Sequence, residues 1–127
     1  YPYNIFADGT TRIDNVSSGH QYIDYKPTYE LHLDPKNMTA TLNVESLKLD
    51  NESYSFSISR LALRLTDDGY TLTLQPGTTC DGVPSVKFFT ATADLRTELK
   101  IDMTLIAGGK SYDVASFLTP DLSEQSL

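Results

Sequence analysis

A single thiol, two imidazoles and two close pairs of carboxylates are the groups in this chain best suited to begin enzyme chemistry. Cys80 sits in Pro76-Gly77-Thr78-Thr79-Cys80-Asp81-Gly82. A reactive thiolate needs a histidine, a cation or a helix N-terminus to lower its pKa. No helix start follows Cys80, and the neighbouring Asp81 acts in the opposite sense. Cys80 is therefore expected to be a packing thiol in a loop, and as the lone cysteine it has no internal disulfide partner. His20 and His32 lack further ligands at metal-binding spacing, so both read as ordinary surface or loop residues. Of the carboxylates, Asp67 and Asp68 stand in a turn, where Asp is expected anyway. Asp102 and Asp113 fall on outward strand positions. Glycoside hydrolysis needs two carboxyls about 5–10 Å apart in a cleft. The strand parity argues against gathering Asp102, Asp113, His20 and Cys80 into one. The reading is of no catalytic residue, no metal site, no cofactor and no enzyme.

Tyrosines are the more informative residues. Tyr1, Tyr3, Tyr22, Tyr25 and Tyr29 crowd the N-terminal quarter. Tyr offers an apolar body and a polar tip, which suits a ligand mouth or a protein interface. The alternative is that these rings cap one end of the fold as core filler. Tyr22, Tyr25 and Tyr29, with Tyr112 from the other end of the chain, are the candidate ligand-binding residues. The absence of Trp makes a sugar-stacking platform a weaker expectation. Asn15-Val16-Ser17, Asn37-Met38-Thr39 and Asn51-Glu52-Ser53 match the glycosylation sequon. In a chain this rich in Ser and Thr, chance and turn chemistry account for them.

Composition narrows the partners. A chain of 127 residues fits one domain with a sizeable core. The net charge of −7 repels phosphate backbones and anionic lipid surfaces. Nucleic acid and peripheral membrane binding are therefore poor expectations. No apolar run approaches the roughly 20 residues of a membrane span. The Thr-rich outward positions (Thr39, Thr41, Thr71, Thr73, Thr90, Thr92) suit solvent-facing pleats and suggest a secreted or envelope-facing β-protein. The chain begins at Tyr1 rather than Met, so either processing removed a leader or the sequence was trimmed, and a targeting signal is not in view.

The elements that must position these residues are strands. Leu61, Leu63 and Leu65 alternate with polar residues, Asp67-Asp68-Gly69 turns the chain, and Tyr70, Leu72 and Leu74 alternate again. Tyr29, Leu31 and Leu33 share a face; Asp34-Pro35-Lys36-Asn37 is a turn, and Met38, Ala40, Leu42 and Val44 follow. The phase slips after Val44 and again after Ile58. Each slip calls for a bulge or a break, since a one-residue shift turns a strand's core face to solvent. An Asp50–Ser53 turn would pair Leu49 with Tyr54 and Leu47 with Phe56. The next turn would pair Leu65 with Tyr70, Leu63 with Leu72 and Leu61 with Leu74. Phe89, Ala91 and Ala93 would face Met103, Ile101 and Leu99. Gly108-Gly109 would set Leu105 against Tyr112, Met103 against Val114 and Leu99 against Leu118. Pro76–Pro84 reads as a polar loop, residues 1–27 as irregular or edge with turns at Asp8-Gly9 and Val16–Gly19, and 121–127 as a polar tail. The expectation is a single all-β domain, an antiparallel up-and-down meander of about eight strands. A calycin-like barrel is the first architecture and a two-sheet β-sandwich the second.

Three features carry a resemblance: Leu42-Asn43-Val44, the Leu61–Leu74 hairpin around Asp67-Asp68-Gly69, and the closing Gly108-Gly109 hairpin. Over Tyr29–Leu118 the chain resembles the calycin-like or lipocalin-like barrels of small secreted lipoproteins of gut bacteria. The Gly-x-Trp signature of lipocalins proper is absent. The resemblance implies an extracytoplasmic protein anchored through a lipidated Cys upstream of Tyr1.

Two functions follow as expectations. One is a non-catalytic extracytoplasmic barrel holding a small apolar ligand in or near its cup, with Leu31, Leu42, Phe56, Leu63, Leu72, Phe89, Ile101, Met103 and Val114 pointing inward. The other is a structural or adhesive module of the cell surface whose partner is another protein.

Overall fold

In a computed structural model, the structure describes residues 3–24, 28–81, 84–94 and 98–121; for residues 3–8, 24, 81, 120 and 121 it describes the backbone alone. The strands are β1 (Tyr3–Asn15), β2 (His20–Asp24), β3 (Thr28–Asp34), β4 (Thr39–Leu49) and β5 (Glu52–Leu65). They continue as β6 (Gly69–Thr73), β7 (Thr79–Asp81), β8 (Ser85–Asp94), β9 (Glu98–Ala107) and β10 (Lys110–Asp121). All pairings are antiparallel, within one ten-stranded sheet. No helix among the described residues is long and apolar enough to cross a membrane.

Turn chemistry sets the hairpins. Gly108 and Gly109 take φ of +58° and +74°, the left-handed backbone of a two-residue hairpin turn, and Ala107 then pairs with Lys110. After β3, Asn37 donates its side-chain amide to Asp34 Oδ2 at 2.7 Å. Between β5 and β6, the Gly69 amide donates to Thr66 Oγ1 at 3.1 Å. Gly69 also has no room for a side chain. A Cβ there would collide with the carbonyl oxygen of Ala93 on β8.

Alternation sets the core. Tyr29, Leu31 and Leu33 of β3 are buried, as are Ala40, Leu42 and Val44 of β4. So are Phe89, Ala91 and Ala93 of β8 and Leu99, Ile101, Met103 and Leu105 of β9. Both phase slips are bulges, and they oppose each other. The β4–β5 register shifts between Ala40 and Leu42, where β5 carries the extra residue, and shifts back between Val44 and Leu47, where β4 does. Arg60 and Ser46, one at each bulge, have φ of 62° and 60°. Each strand thus bends while its apolar residues stay inside.

Ten strands occupy eight positions. β2 and β3 both pair with the same β1, at Thr11–Asn15 and Tyr3–Ala7 respectively, so they lie end to end along it. β6 and β7 likewise both pair with β5. Each of these two positions thus holds two strands in succession. The order of pairing runs β10-β9-β8-β6-β5-β4-β3-β1-β2, and β1 pairs with β10 as well. That last ladder reaches from Phe6↔Asp121 to Asn15↔Tyr112.

Several expectations change. Residues 3–15 form a long strand with ladders on both edges. Gly9 lies within it rather than in a turn: a Cβ would strike the Phe117 carbonyl of β10. The β4–β5 turn is tighter than expected because Asp50 takes a left-handed φ of 57°. Leu49 therefore pairs with Glu52, Leu47 with Tyr54 and Val44 with Phe56. β6 ends at Thr73, so Leu61 has no partner in Leu74, and both Leu74 and Leu65 are exposed. Met38 occupies the turn at φ 54° and is exposed. The loop around Cys80 contains β7. The remaining registers, at Leu65↔Tyr70, Leu63↔Leu72, Phe89↔Met103 and Leu105↔Tyr112, are as read. The boundary at Pro27 and the tail beyond Asp121 lie outside the described residues.

Gly69→Ala should lower stability by about 1–3 kcal/mol, since its methyl must push β6 from β8. Leu42→Ala, which empties a fully buried site, should cost about 2–5 kcal/mol. Urea unfolding of the two variants against the parent checks both.

Candidate functional site

The most distinctive site lies where β2 and β3 follow each other along β1. β4 runs beside β3 as far as Thr28↔Glu45 and then continues paired to β5 alone. Among the described residues no ladder joins the end of β4 to β2 past that point, and this separation is a division in the sheet. Tyr22 of β2 spans the division. It stands opposite Ile13 of β1, so its ring shares the inward face and packs on the core. Its hydroxyl donates to the Lys48 carbonyl at 2.8 Å and accepts from the Asp50 amide at 2.6 Å. One side-chain oxygen thus satisfies two backbone groups that a neighbouring strand would otherwise meet.

Asp50 is the centre of this end of the molecule. Its backbone lies in the region that L residues avoid, and side chains from two other strands hold it there. Asn15, buried at the end of β1, donates its amide to Asp50 Oδ2 at 2.8 Å. Tyr112 of β10 donates its hydroxyl to the same oxygen at 2.8 Å. Asn15 also accepts the Ser17 and Ser18 amides through Oδ1, which shapes the β1–β2 turn. These bonds, from Tyr112 first and Asn15 second, hold the Asp50 carboxyl below its usual range; the charges of Lys110 and His20 assist, and desolvation opposes. Tyr112 is pushed up to about 12, by burial first and then by its bond to the Asp50 carboxylate.

The structure therefore brings Tyr22 and Tyr112 together on one residue, Tyr22 at the Asp50 amide and Tyr112 at its carboxylate. It does not bring Tyr29 to them. The Tyr29 hydroxyl is buried with Thr11 Oγ1 at 3.2 Å and Ser116 Oγ at 2.8 Å, and those two are 2.9 Å apart. That closed trio of hydroxyls ties β1, β3 and β10 inside the core. Tyr25 lies outside the described residues.

A cleft of about 490 Å³ opens over the division, lined by His20, Tyr22, Ile23, Lys48, Asp50, Asn51 and Lys110. The His20 and Tyr22 rings stand 5.2 Å apart, tilted by 30°. Two other large clefts lie on the sheet. One holds Glu30 and Glu45 and no cation; the other holds Asp14, Asp102 and Asp113 with Arg12. The latter gathers Asp102 and Asp113, yet among the described residues no His, Cys, Asp or Glu cluster could hold a metal ion. Asp67 and Asp68 are exposed in their turn. His32 contacts Glu30 on the same strand. Cys80 is half-buried against the core, its thiol directed to the Pro84 carbonyl at 3.4 Å. Of the sequon asparagines, Asn15 is buried and bonded, while Asn37 and Asn51 are exposed.

No protein-family model matches this chain, and no curated protein or solved structure matches it at a significant level.

Tyr22→Phe should destabilise the fold by about 1 kcal/mol, because it strands the Lys48 carbonyl and the Asp50 amide; thermal unfolding measures it. The Asp50 carboxyl has a lowered folded pKa, so its stabilising effect is present above the unfolded value of 3.8 and is lost as pH falls through the folded value. Asp50→Asn should be less stable than the parent at neutral pH and show a flatter acid limb in urea midpoints. Burial also raises Tyr70 to about 12, alongside Tyr112. Tyrosines raised in the folded state stabilise below the unfolded value of 10.0 and cease to do so as pH rises toward 12. Ultraviolet titration should show the Tyr70 and Tyr112 phenols ionising only with alkaline unfolding.

Proposed function

We propose that this chain is a non-catalytic β-barrel of the cell envelope whose binding surface is its exterior and whose partner is a protein. One observation carries this reading. The inward residues of eight strands (β1, β3, β4, β5, β6, β8, β9 and β10) belong to a single packed cluster, with Tyr22 of β2 and Cys80 of β7 against it. Ladders on both edges of β1 support wrapping of the sheet into a closed barrel. Eight strands give an interior that side chains can fill, and the residues expected to line a cup are themselves core here: Leu31, Leu42, Phe56, Leu63, Leu72, Phe89, Ile101, Met103 and Val114. The large clefts lie on the outside. Asp14, Asp102 and Asp113 share one exterior cleft, while the histidines and the thiol lie apart from it, which supports a binding role over a catalytic one. The envelope setting is the one the resemblance to calycin-like lipoproteins implies, with a lipid anchor upstream of Tyr1.

Titration with the fluorescent apolar probe anilinonaphthalene sulfonate, beside native mass spectrometry, tests the filled interior. The expected result is a bare mass and no saturable fluorescence. Saturable uptake displaced by a fatty acid would overturn this reading in favour of a ligand-holding cup.

A further inference from the structure

Taking the exterior binding role as its premise, we infer that the outward face of β8, β9, β10, β1 and β2 is a docking surface for a partner protein. The fitting segment carries an arginine or lysine between apolar residues. The apolar side of the argument comes first. Phe88, Phe117 and Ile23 are 51, 44 and 43% exposed. Among the described residues four other large hydrophobics are exposed (Val16, Met38, Leu65 and Leu74), and each stands in a turn or at or beyond the end of a strand. Only on this face do uncovered large hydrophobics stand within strands. The registers place them around Ala115. Phe117 lies two residues further along β10, Ile23 lies in the same row across Arg12, and Phe88 lies one row along and two strands away. The short side chain of Ala115 leaves a depression between them, and a cleft of about 540 Å³ opens there. Exposed aromatic rings around a depression are what an interface uses as anchors.

Charge selects the occupant. Asp14 of β1 stands directly opposite Asp113 of β10. Like charges so placed destabilise a sheet. The hydrogen bonds to both come from neutral groups: Gln21 Nε2 donates to Asp14 at 3.3 Å and Thr104 Oγ1 to Asp113 at 3.0 Å. Asp102 lies in the same cleft, and Arg12 is the one cation among its lining residues. Lys100, the next cation along β9, lies over the Phe117 ring at 5.6 Å. The cleft therefore carries an excess of two carboxylates, and two of its three carboxylates face each other. An entering guanidinium or ammonium group relieves that repulsion, whereas a carboxylate or phosphate adds to it. An aromatic ring such as Phe88 also attracts a cation. Among the described residues no such cluster could hold a metal ion, which favours a cationic side chain. Three apolar contacts around the charge favour a protein segment over a small cation.

The test is an NMR titration of the intact chain with an acetylated, amidated heptapeptide of central Arg flanked by Leu and Val, and with the same peptide carrying Glu for Arg. The expected result is saturable shifts in the amides of Thr90, Asp102, Asp113 and Ala115 with the arginine peptide, weakening as salt is raised, and none with the glutamate peptide. Phe88→Ser changes an exposed side chain and should weaken binding at least about fivefold with the spectrum of the free protein retained. Asp14→Asn combined with Asp113→Asn should weaken binding as much and raise the thermal midpoint, because it removes the facing charges. No saturable shift, equal binding of both peptides, or shifts mapping to another face would overturn the proposal. So would a double variant that binds as the parent does, or sedimentation showing the chain paired with a second copy through this face. Because the apolar-probe titration reads the interior and this one reads the outward face, failure of one is distinguishable from failure of the other.

Discussion

The ladder between β1 and β10 is the constraint on which the rest of the molecule depends. It joins the two ends of the chain over the pairs Phe6↔Asp121 to Asn15↔Tyr112. Every other neighbouring pair is local or nearly so, and a sheet built from those pairs alone would leave its apolar face open to water. Once β1 lies between β10 and β3, Ile13, Val114, Tyr29 and Leu118 share one cluster with the strands between them. The Thr11–Ser116 hydroxyl bond crosses 105 positions of sequence, and Tyr29 completes it from β3. These three hydroxyls are fully buried, and each satisfies another, so the seam carries no unpaired hydroxyl into the core.

Bending makes that seam reachable. Opposed bulges in β4 and β5 curve the strands without turning their apolar faces outward, and two positions beside them change strand, from β2 to β3 along β1 and from β6 to β7 along β5. These changes of strand also have consequences at the surface. At the second, Gln75 and Thr78 donate their side chains to the Arg60 carbonyl, at 3.0 and 2.9 Å, over the bulge in β5. At the first, Tyr22 does the same for β4. The site at Asp50 is thus a by-product of curvature: where the sheet divides, side chains take over the work of a missing rung, and a cleft stays open above them.

Most of the fold was legible in the sequence because the code of a half-buried strand has a period of two. The hairpins of β5–β6, β8–β9 and β9–β10 follow from alternation and from Asp-Gly and Gly-Gly turns. The bulges were legible as breaks in phase. What escaped was non-local or lay in the backbone. Residues 3–15 alternate only in part, and the pairing of β1 with a strand a hundred residues away leaves no local mark. The β4–β5 register escaped because Asp50 adopts a left-handed conformation in a two-residue turn, where Asn15 and Tyr112 from distant strands bond its carboxylate. Of the candidate site, the tyrosine signal located Tyr22 and Tyr112 but grouped them with Tyr29, whose partners are in the core. Asp50 read as an ordinary turn residue, and Asn15 as part of a sequon.

The claim at the centre of this account is that β1 is an interior strand with partners on both edges. Amide hydrogen exchange read by NMR tests it most directly, residue by residue. The account predicts that amides of Thr11–Asn15 and of Tyr112–Leu118 exchange as slowly as those of β9, with cross-strand contacts between Ile13 and Val114. Exchange of β1 at the rate of an open edge, with no contact to β10, would contradict it.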